Sequence, residues 1–384
     1  MKKFLASALA LMMLLTSCAP AAQTENSSVD PAVNSVKAPS SQLTYVDSEE
    51  MVYAQNLQID NFNDGYKLVT LLGEDKFLIV PEGKEIPEDL DESVTPLCQP
   101  INNILVSSTP TVSLINSIGA LDRVSLTTND KDTWLIPEVV SAMDNGSIKY
   151  IGEYDEPDYE KILENKPPLA VYSNMMSFVP EVAEKFDELG IPYILDHSSS
   201  EPEPMARVEW VKLYGALFNM EEEAQKVFDQ QVEYISSIPT EKTGKTVAIF
   251  YITSKGIIYA RNSGDYMVKM AEMAGADYIC SDLGVGETGT TSMEAEEFYS
   301  RSKDADYVIY VWSVGGKPKT LEDIYERMPI FEEFKAVKEG NVWCTSPDFF
   351  QISDTIGYFI KDMNTVFNLQ PGQQADVKYL NPIK

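Results

Sequence analysis

Two arginines are the side chains in this chain best suited to grip an anion. Arg207 starts a helical run, and Arg261 follows the apolar strand TVAIFYIT. A guanidinium offers planar, paired N–H donors to carboxylate or catecholate oxygens, which a lysine ammonium cannot match. The competing reading for both is an internal ion pair with some of the 60 acids. Lys255, in the loop after YITS, is a weaker cation on the same edge. Met175 and Met176 follow the strand LAVYS, where a thioether is either a soft axial ligand for haem iron or a pliable wall for a large ligand. His197 ends PYILDH and is either a second axial ligand or a hydrogen-bonded structural residue. It is the single histidine of the chain, so HExxH zinc hydrolysis and His-cluster chemistry are excluded. Trp134, Tyr251, Trp312 and Phe349 sit in loops or at strand ends, as stacking faces or as ordinary half-buried aromatics. Neither GxSxG nor a P-loop is present, and the acidic runs at 221–223 and 155–158 read as solvated surface. A hydrolase built on two carboxylates that meet in space stays open as an alternative.

The charge balance narrows the partners. Lys+Arg 30 against Asp+Glu 60 gives a net charge of −30, which excludes binding to nucleic acid by counterion release and repels an anionic membrane. Lys2 and Lys3 precede an apolar run from Phe4 to Leu15, too short to span a bilayer comfortably. The ending Leu15-Thr16-Ser17-Cys18 resembles a lipobox, which implies cleavage before Cys18 and a diacylglycerol on its thiol. The protein is then expected on the outer face of the cytoplasmic membrane, at the cell surface or in the periplasm, held by the lipid anchor only. Residues 18–44, rich in Ala, Pro, Ser and Asn, read as a flexible tether after a signal peptide at 1–17. Of the remaining cysteines, Cys280 and Cys344 are the better pair for a disulfide, three buried free thiols including Cys98 being the alternative.

These residues need elements to hold them. Residues 45–100 alternate short strands with turns, including a hairpin signal of YKLVTLL and KFLIV around Gly73-Glu74-Asp75. From 103 onward apolar strands alternate with helices of about ten residues, the pattern of a mostly parallel sheet with helices on both faces. A helical segment from Glu203 to Ile238 follows, with a period-3.6 apolar face in its second half, and a second α/β set begins at Thr246. The fold class expected is therefore α/β, with two Rossmann-like lobes, 45–219 and 239–384, joined by one long helix at 220–238. A ligand cleft is expected between the lobes, outside the carboxyl ends of the strands.

From Met51 to Phe367 the chain resembles the ABC-importer substrate-binding proteins for iron-siderophore, haem and cobalamin uptake. The resemblance is carried by SSTPTVSLINSIGALDRV, PDYEKILENKPPLAVYS, ELGIPYILDHSSSEPEPMARVEWVKLYGALFNMEEEA, YARNSGDYMVKMAEMAGADYI and AEEFYSRSKDADYVIY, in that order. It implies a rigid inter-lobe helix, capture of a metal chelate without chemistry, no intrinsic cofactor, and delivery by a monomer to a permease dimer with its ATPase. It implies a cleft drawn from Thr109, Trp134, Met175, Met176, Arg207, Tyr251, Lys255, Arg261, Trp312 and Phe349, and permease docking through Glu160 in PDYEKI and Glu296 in AEEFY. One departure is Glu203-Pro204 where members of that family often have His-Pro, which makes the neighbourhood of Arg207 more acidic. The cargo expected is a siderophore-type iron complex. The alternatives are haem or cobalamin in the same system, or a non-transport surface receptor or hydrolase.

Overall fold

The computed structural model describes residues 36–312, 316–370 and 373–384; Cys18, the apolar run and most of the tether lie outside them. Five strands come first: β1 (Tyr45–Ser48), β2 (Leu57–Phe62), β3 (Lys67–Leu71), β4 (Asp75–Val80) and β5 (Val94–Cys98). They form a sheet in chain order, with β3 and β4 paired antiparallel around the expected turn.

The first α/β lobe follows. Its strands are β6 (Ile104–Val106), β7 (Val124–Thr127), β8 (Lys149–Tyr150), then a two-stranded ribbon of β9 (Gly152–Glu153) and β10 (Glu156–Pro157), then β11 (Ala170–Ser173) and β12 (Tyr193–Asp196). Its helices are α1 (Thr109–Ser117), α2 (Pro137–Asp144), α3 (Tyr159–Asn165) and α4 (Pro180–Leu189). The sheet is wholly parallel in the order β12-β11-β6-β7-β8. Strands such as Ile104-Leu105-Val106 are buried on both faces, which is why they read as unbroken apolar runs. The order reverses between β6 and β11, so the chain diverges at their carboxyl ends and leaves a crevice there.

The helical segment is three helices rather than one: α5 (Pro204–Glu209), α6 (Val211–Phe218) and α7 (Glu221–Ser236). Asn219 in the left-handed conformation ends α6 and turns the chain into α7. Glycine at 215 lets the two helices approach, since a Cβ there would lie 2.7 Å from that of Ala224.

The second lobe contains β13 (Thr246–Ile252), β14 (Ile258–Arg261), β15 (Asp277–Tyr278), β16 (Thr290–Met293), β17 (Tyr307–Tyr310), β18 (Val342–Thr345) and β19 (Leu380–Pro382). Its helices are α8 (Tyr266–Met273), α9 (Ala295–Ser302), α10 (Leu321–Tyr325), α11 (Lys335–Glu339) and α12 (Ile356–Phe367). This sheet is mixed, with β15, β13, β17 and β18 parallel and β14 and β19 antiparallel to them. α12 crosses α7 at Gly357, where a Cβ would stand 2.3 Å from the carbonyl oxygen of Gln231. Gly357→Ala is therefore expected to cost about 1–3 kcal/mol by overpacking, read as a lower denaturant midpoint at unchanged slope.

Candidate functional site

The carboxyl ends of both sheets look onto a cleft with two compartments. The smaller, about 140 Å³, is bounded by the loops after β6, β11 and β12 and by Arg207, Tyr266 and Phe349. The larger, about 610 Å³, is walled by Tyr251, Arg261, Thr290, Trp312 and Phe350. Phe350 lines both.

Of the cleft residues expected from sequence, Arg207, Tyr251, Arg261, Trp312 and Phe349 line these compartments. Arg207 lies flat over the Tyr266 ring, 3.7 Å from guanidinium carbon to centroid, and Tyr266 in turn stacks on Phe349. Its Nη2 donates to the Ser199 carbonyl at 2.6 Å, while its buried Nε finds no partner. Burial pulls this guanidinium below the usual arginine range and pushes the Tyr266 phenol above its own. Arg261 is 8% exposed, with Nη1 3.6 Å from Asp265 Oδ2 and a buried Nε likewise without a partner. Asp265 is itself fixed, accepting from the backbone N–H groups of Met267 and Gly289. The ion-pair alternative thus holds for Arg261 in part and not for Arg207, which has no carboxylate partner among the described residues.

The other expected residues do not line the cleft. Trp134 is 4% exposed, its indole N–H donating to the Asn129 carbonyl, because it plugs the core beside α2. Met176 is packed with Tyr172 and Phe186 in the small core on the far face of the first sheet, and Met175 is exposed on the loop surface. His197 is buried against Trp210, ring centroids 6.5 Å apart, and burial holds its imidazole below its ordinary pKa. An axial Met–His pair is therefore not assembled. Thr109 sits between lining residues Ser108 and Pro110 without lining the cavity itself, and Lys255 is exposed on the β13–β14 turn. Glu203 does not acidify the cleft, since its carboxylate is 2.7 Å from Lys269 Nζ.

Tyr266, Phe350 and the serines of the smaller compartment were not legible as ligand contacts. The only signal for Tyr266 is its place after the Asp265 N-cap of α8. Gly284 to Gly289 has G-x-G-x-x-G spacing but runs from a turn into β16, not from a strand into a helix, so it builds no dinucleotide site. Gly289 instead lines the larger compartment.

The lobes touch across the cleft. The Gln351 side-chain amide donates to the Thr133 carbonyl at 2.7 Å and accepts from the Leu135 N–H at 2.9 Å. Ser113 on α1 donates to Asp354 at 2.9 Å. Glu160 and Glu296 are exposed in the first turns of α3 and α9, in separate lobes, where the helix dipole favours a carboxylate.

Cys280 and Cys344 are not bonded to each other; both are buried free thiols, and Cys98 is an exposed one. Burial pushes their pKa up to about 11 and about 12 respectively, so neither forms thiolate near neutrality. Of the three cysteines among the described residues, a thiol reagent at pH 8 is expected to label only Cys98 in the native protein, with Cys280 and Cys344 reacting only after denaturation.

Residues 108–348 match the family model described as periplasmic binding protein. An uncharacterized lipoprotein of Methanocaldococcus jannaschii is 28% identical over 330 residues, covering 81% of this chain and 77% of that protein. The iron-uptake system-binding protein of Bacillus subtilis is 26% identical over 205 residues, 51% of this chain and 61% of that one. A periplasmic heme binding protein from Pseudomonas aeruginosa shares the fold with a TM-score of 0.56 at 11% identity, covering 74% of this chain and 98% of that chain. The matched segment starts at the serine opening the smaller compartment and runs through both sheets around the cleft: the chain belongs to the periplasmic binding protein family, whose members bind solutes and are not enzymes.

Proposed function

We propose that this protein is the extracytoplasmic solute-binding component of an ABC importer, and that it captures a siderophore-type iron chelate and hands it to a permease. The observation that carries this reading is the pair of guanidiniums in the cleft, Arg207 in the smaller compartment and Arg261 in the wall of a chamber of about 610 Å³ with the rings of Tyr251, Trp312 and Phe350. Rings supply contact area for an organic shell, and guanidiniums supply donors for its ligating oxygens. In a protein of net charge −30 these two guanidiniums give the cleft donors that oxyanionic chelates can use. Likeness to the iron-uptake protein of B. subtilis supports iron as the metal. Haem ligated by Met and His is disfavoured, because Met175, Met176 and His197 do not line the cleft.

The mature chain is read as a monomer tethered through a lipid on Cys18. Glu160 and Glu296 are the proposed contacts to arginines of the permease dimer, acting on orientation and encounter rate more than on affinity.

Thermal melts of the chain lacking its signal peptide, against ferric hydroxamate, catecholate and citrate complexes, haemin and cobalamin, test the reading. A ligand at a hundred times its dissociation constant adds about 2.7 kcal/mol, a clearly raised midpoint. A ferric chelate that does so supports the proposal, and silence across all of them overturns it. With the cargo known, Glu160→Ala with Glu296→Ala is expected to abolish cellular uptake while leaving affinity in solution unchanged. Undiminished uptake would return the protein to the surface-receptor alternative.

A further inference from the structure

We propose that the smaller compartment is a separate oxyanion slot, and that the cargo is a chelate whose bulky body fills the larger chamber while a pendant carboxylate or phosphate enters this slot. The inference rests on the cleft being the cargo site and concerns which chemical class of cargo it accepts.

Phe350 lines both compartments. The chamber has three rings and one guanidinium in its wall, whereas the slot sets Ser108, Ser173, Ser198, Ser199, Ser353 and Arg207 beside the rings of Tyr266, Phe349 and Phe350. Its volume of about 140 Å³ holds a group the size of several waters. Among the described residues the hydroxyls of Ser108, Ser198, Ser199 and Ser353 make no hydrogen bond to protein, and none of them is an enclosed atom, so each is free to meet a ligand. Ser108 occupies the N-cap position of α1, yet its side chain caps nothing. These serines come from both lobes, since Ser353 precedes α12 and the others follow strands of the first sheet.

Arg207 supplies the charge. Stacking on Tyr266 and the bond to the Ser199 carbonyl fix its guanidinium, and its buried Nε still lacks an acceptor. That Nε is enclosed, but Nη1 makes no hydrogen bond among the described residues and is not enclosed, so it is the donor an incoming oxyanion would meet. The nearby acids do not compete. Asp196 also borders the slot, but its Oδ2 accepts from Thr111 and Tyr214 and its Oδ1 from the Ser198 N–H. Glu201 is spent on the N–H groups of Gln55 and Asn56 and on the Trp210 indole. Asp265 pairs with Arg261. Arg207 is thus a fixed cation with no carboxylate in hydrogen-bond contact among the described residues, in a cavity that also presents serine hydroxyls.

Free oxyanions test the slot without iron or chelate. Native protein is titrated with succinate, inorganic phosphate, or sodium chloride at matched ionic strength, and the melting midpoint is followed. Saturable stabilisation by succinate or phosphate beyond that of chloride is expected, and the arm that responds tells carboxylate from phosphate. Arg207→Gln should weaken that binding about tenfold or more, the loss of one charge-assisted hydrogen bond. Ser198→Ala and Ser353→Ala, which leave the Arg207–Tyr266 stack intact, should each weaken it to a lesser degree. A response to both anions no larger than to chloride overturns the proposal, as does an undiminished response in Arg207→Gln and both serine variants. Ferric chelates that bind while free oxyanions do not would remove the slot alone. Oxyanions that bind while every ferric chelate fails would keep the slot and remove the iron reading.

Discussion

Glu209→Ala is expected to lower the folding stability by about 3–5 kcal/mol, the range for a buried ion pair deprived of one partner. Glu209 is fully buried on α5, and its carboxylate accepts from three consecutive backbone N–H groups, those of Val52, Tyr53 and Ala54, at 2.7–2.8 Å. It also accepts from Lys212 Nζ at 3.1 Å, itself 6% exposed and in cation–π contact with Phe228. Alanine would orphan the three amides and strand a buried ammonium. Adding Lys212→Met should restore part of the loss by removing the unpaired charge, while the amides stay unsatisfied. Guanidinium unfolding of the two variants against the native protein measures this. A loss below about 1 kcal/mol in the single variant would mean that water reaches these groups, contrary to the burial described.

The second large effect concerns cargo. In the double variant Arg207→Gln, Arg261→Gln, affinity for whichever ferric chelate stabilises the protein should fall about a hundredfold or more, taking about 1.5–3 kcal/mol for each charge-assisted hydrogen bond. The two single losses need not sum to that figure, because the guanidiniums repel each other and removing one eases the other. Calorimetric titration at low and high salt reads the effect, and the salt dependence of the association rate should flatten in the double variant. Unchanged affinity would place the cargo elsewhere than the cleft.

The α/β character was readable because parallel strands buried on both faces leave continuous apolar runs. Ile104-Leu105-Val106 and Tyr307-Val308-Ile309-Tyr310 are such runs, and each has a helix signal after it. The antiparallel strands β14, β16 and β19 were not readable, since three- or four-residue segments with mixed burial have no period to detect. Arg207 and Arg261 stood out because only five arginines occur in the chain, while serines are too common to attract notice. Trp134 and Met176 show the converse limit. Both occupy loops near strand ends, where exposure is the ordinary expectation, yet tertiary packing draws them inward, and no local pattern announces that.

Gly357 keeps α12 and α7 in close register. With a bare Cα against the Gln231 carbonyl, that crossing has no room for a side chain, so sliding α12 along α7 would break tight packing. The Gln351 amide, grasping the far lobe six residues earlier in the chain, makes two hydrogen bonds open to water and each worth about 1 kcal/mol net. With the Ser113–Asp354 bond they are the weaker tie between the lobes, so the helix crossing is the part of the frame that resists disturbance longest.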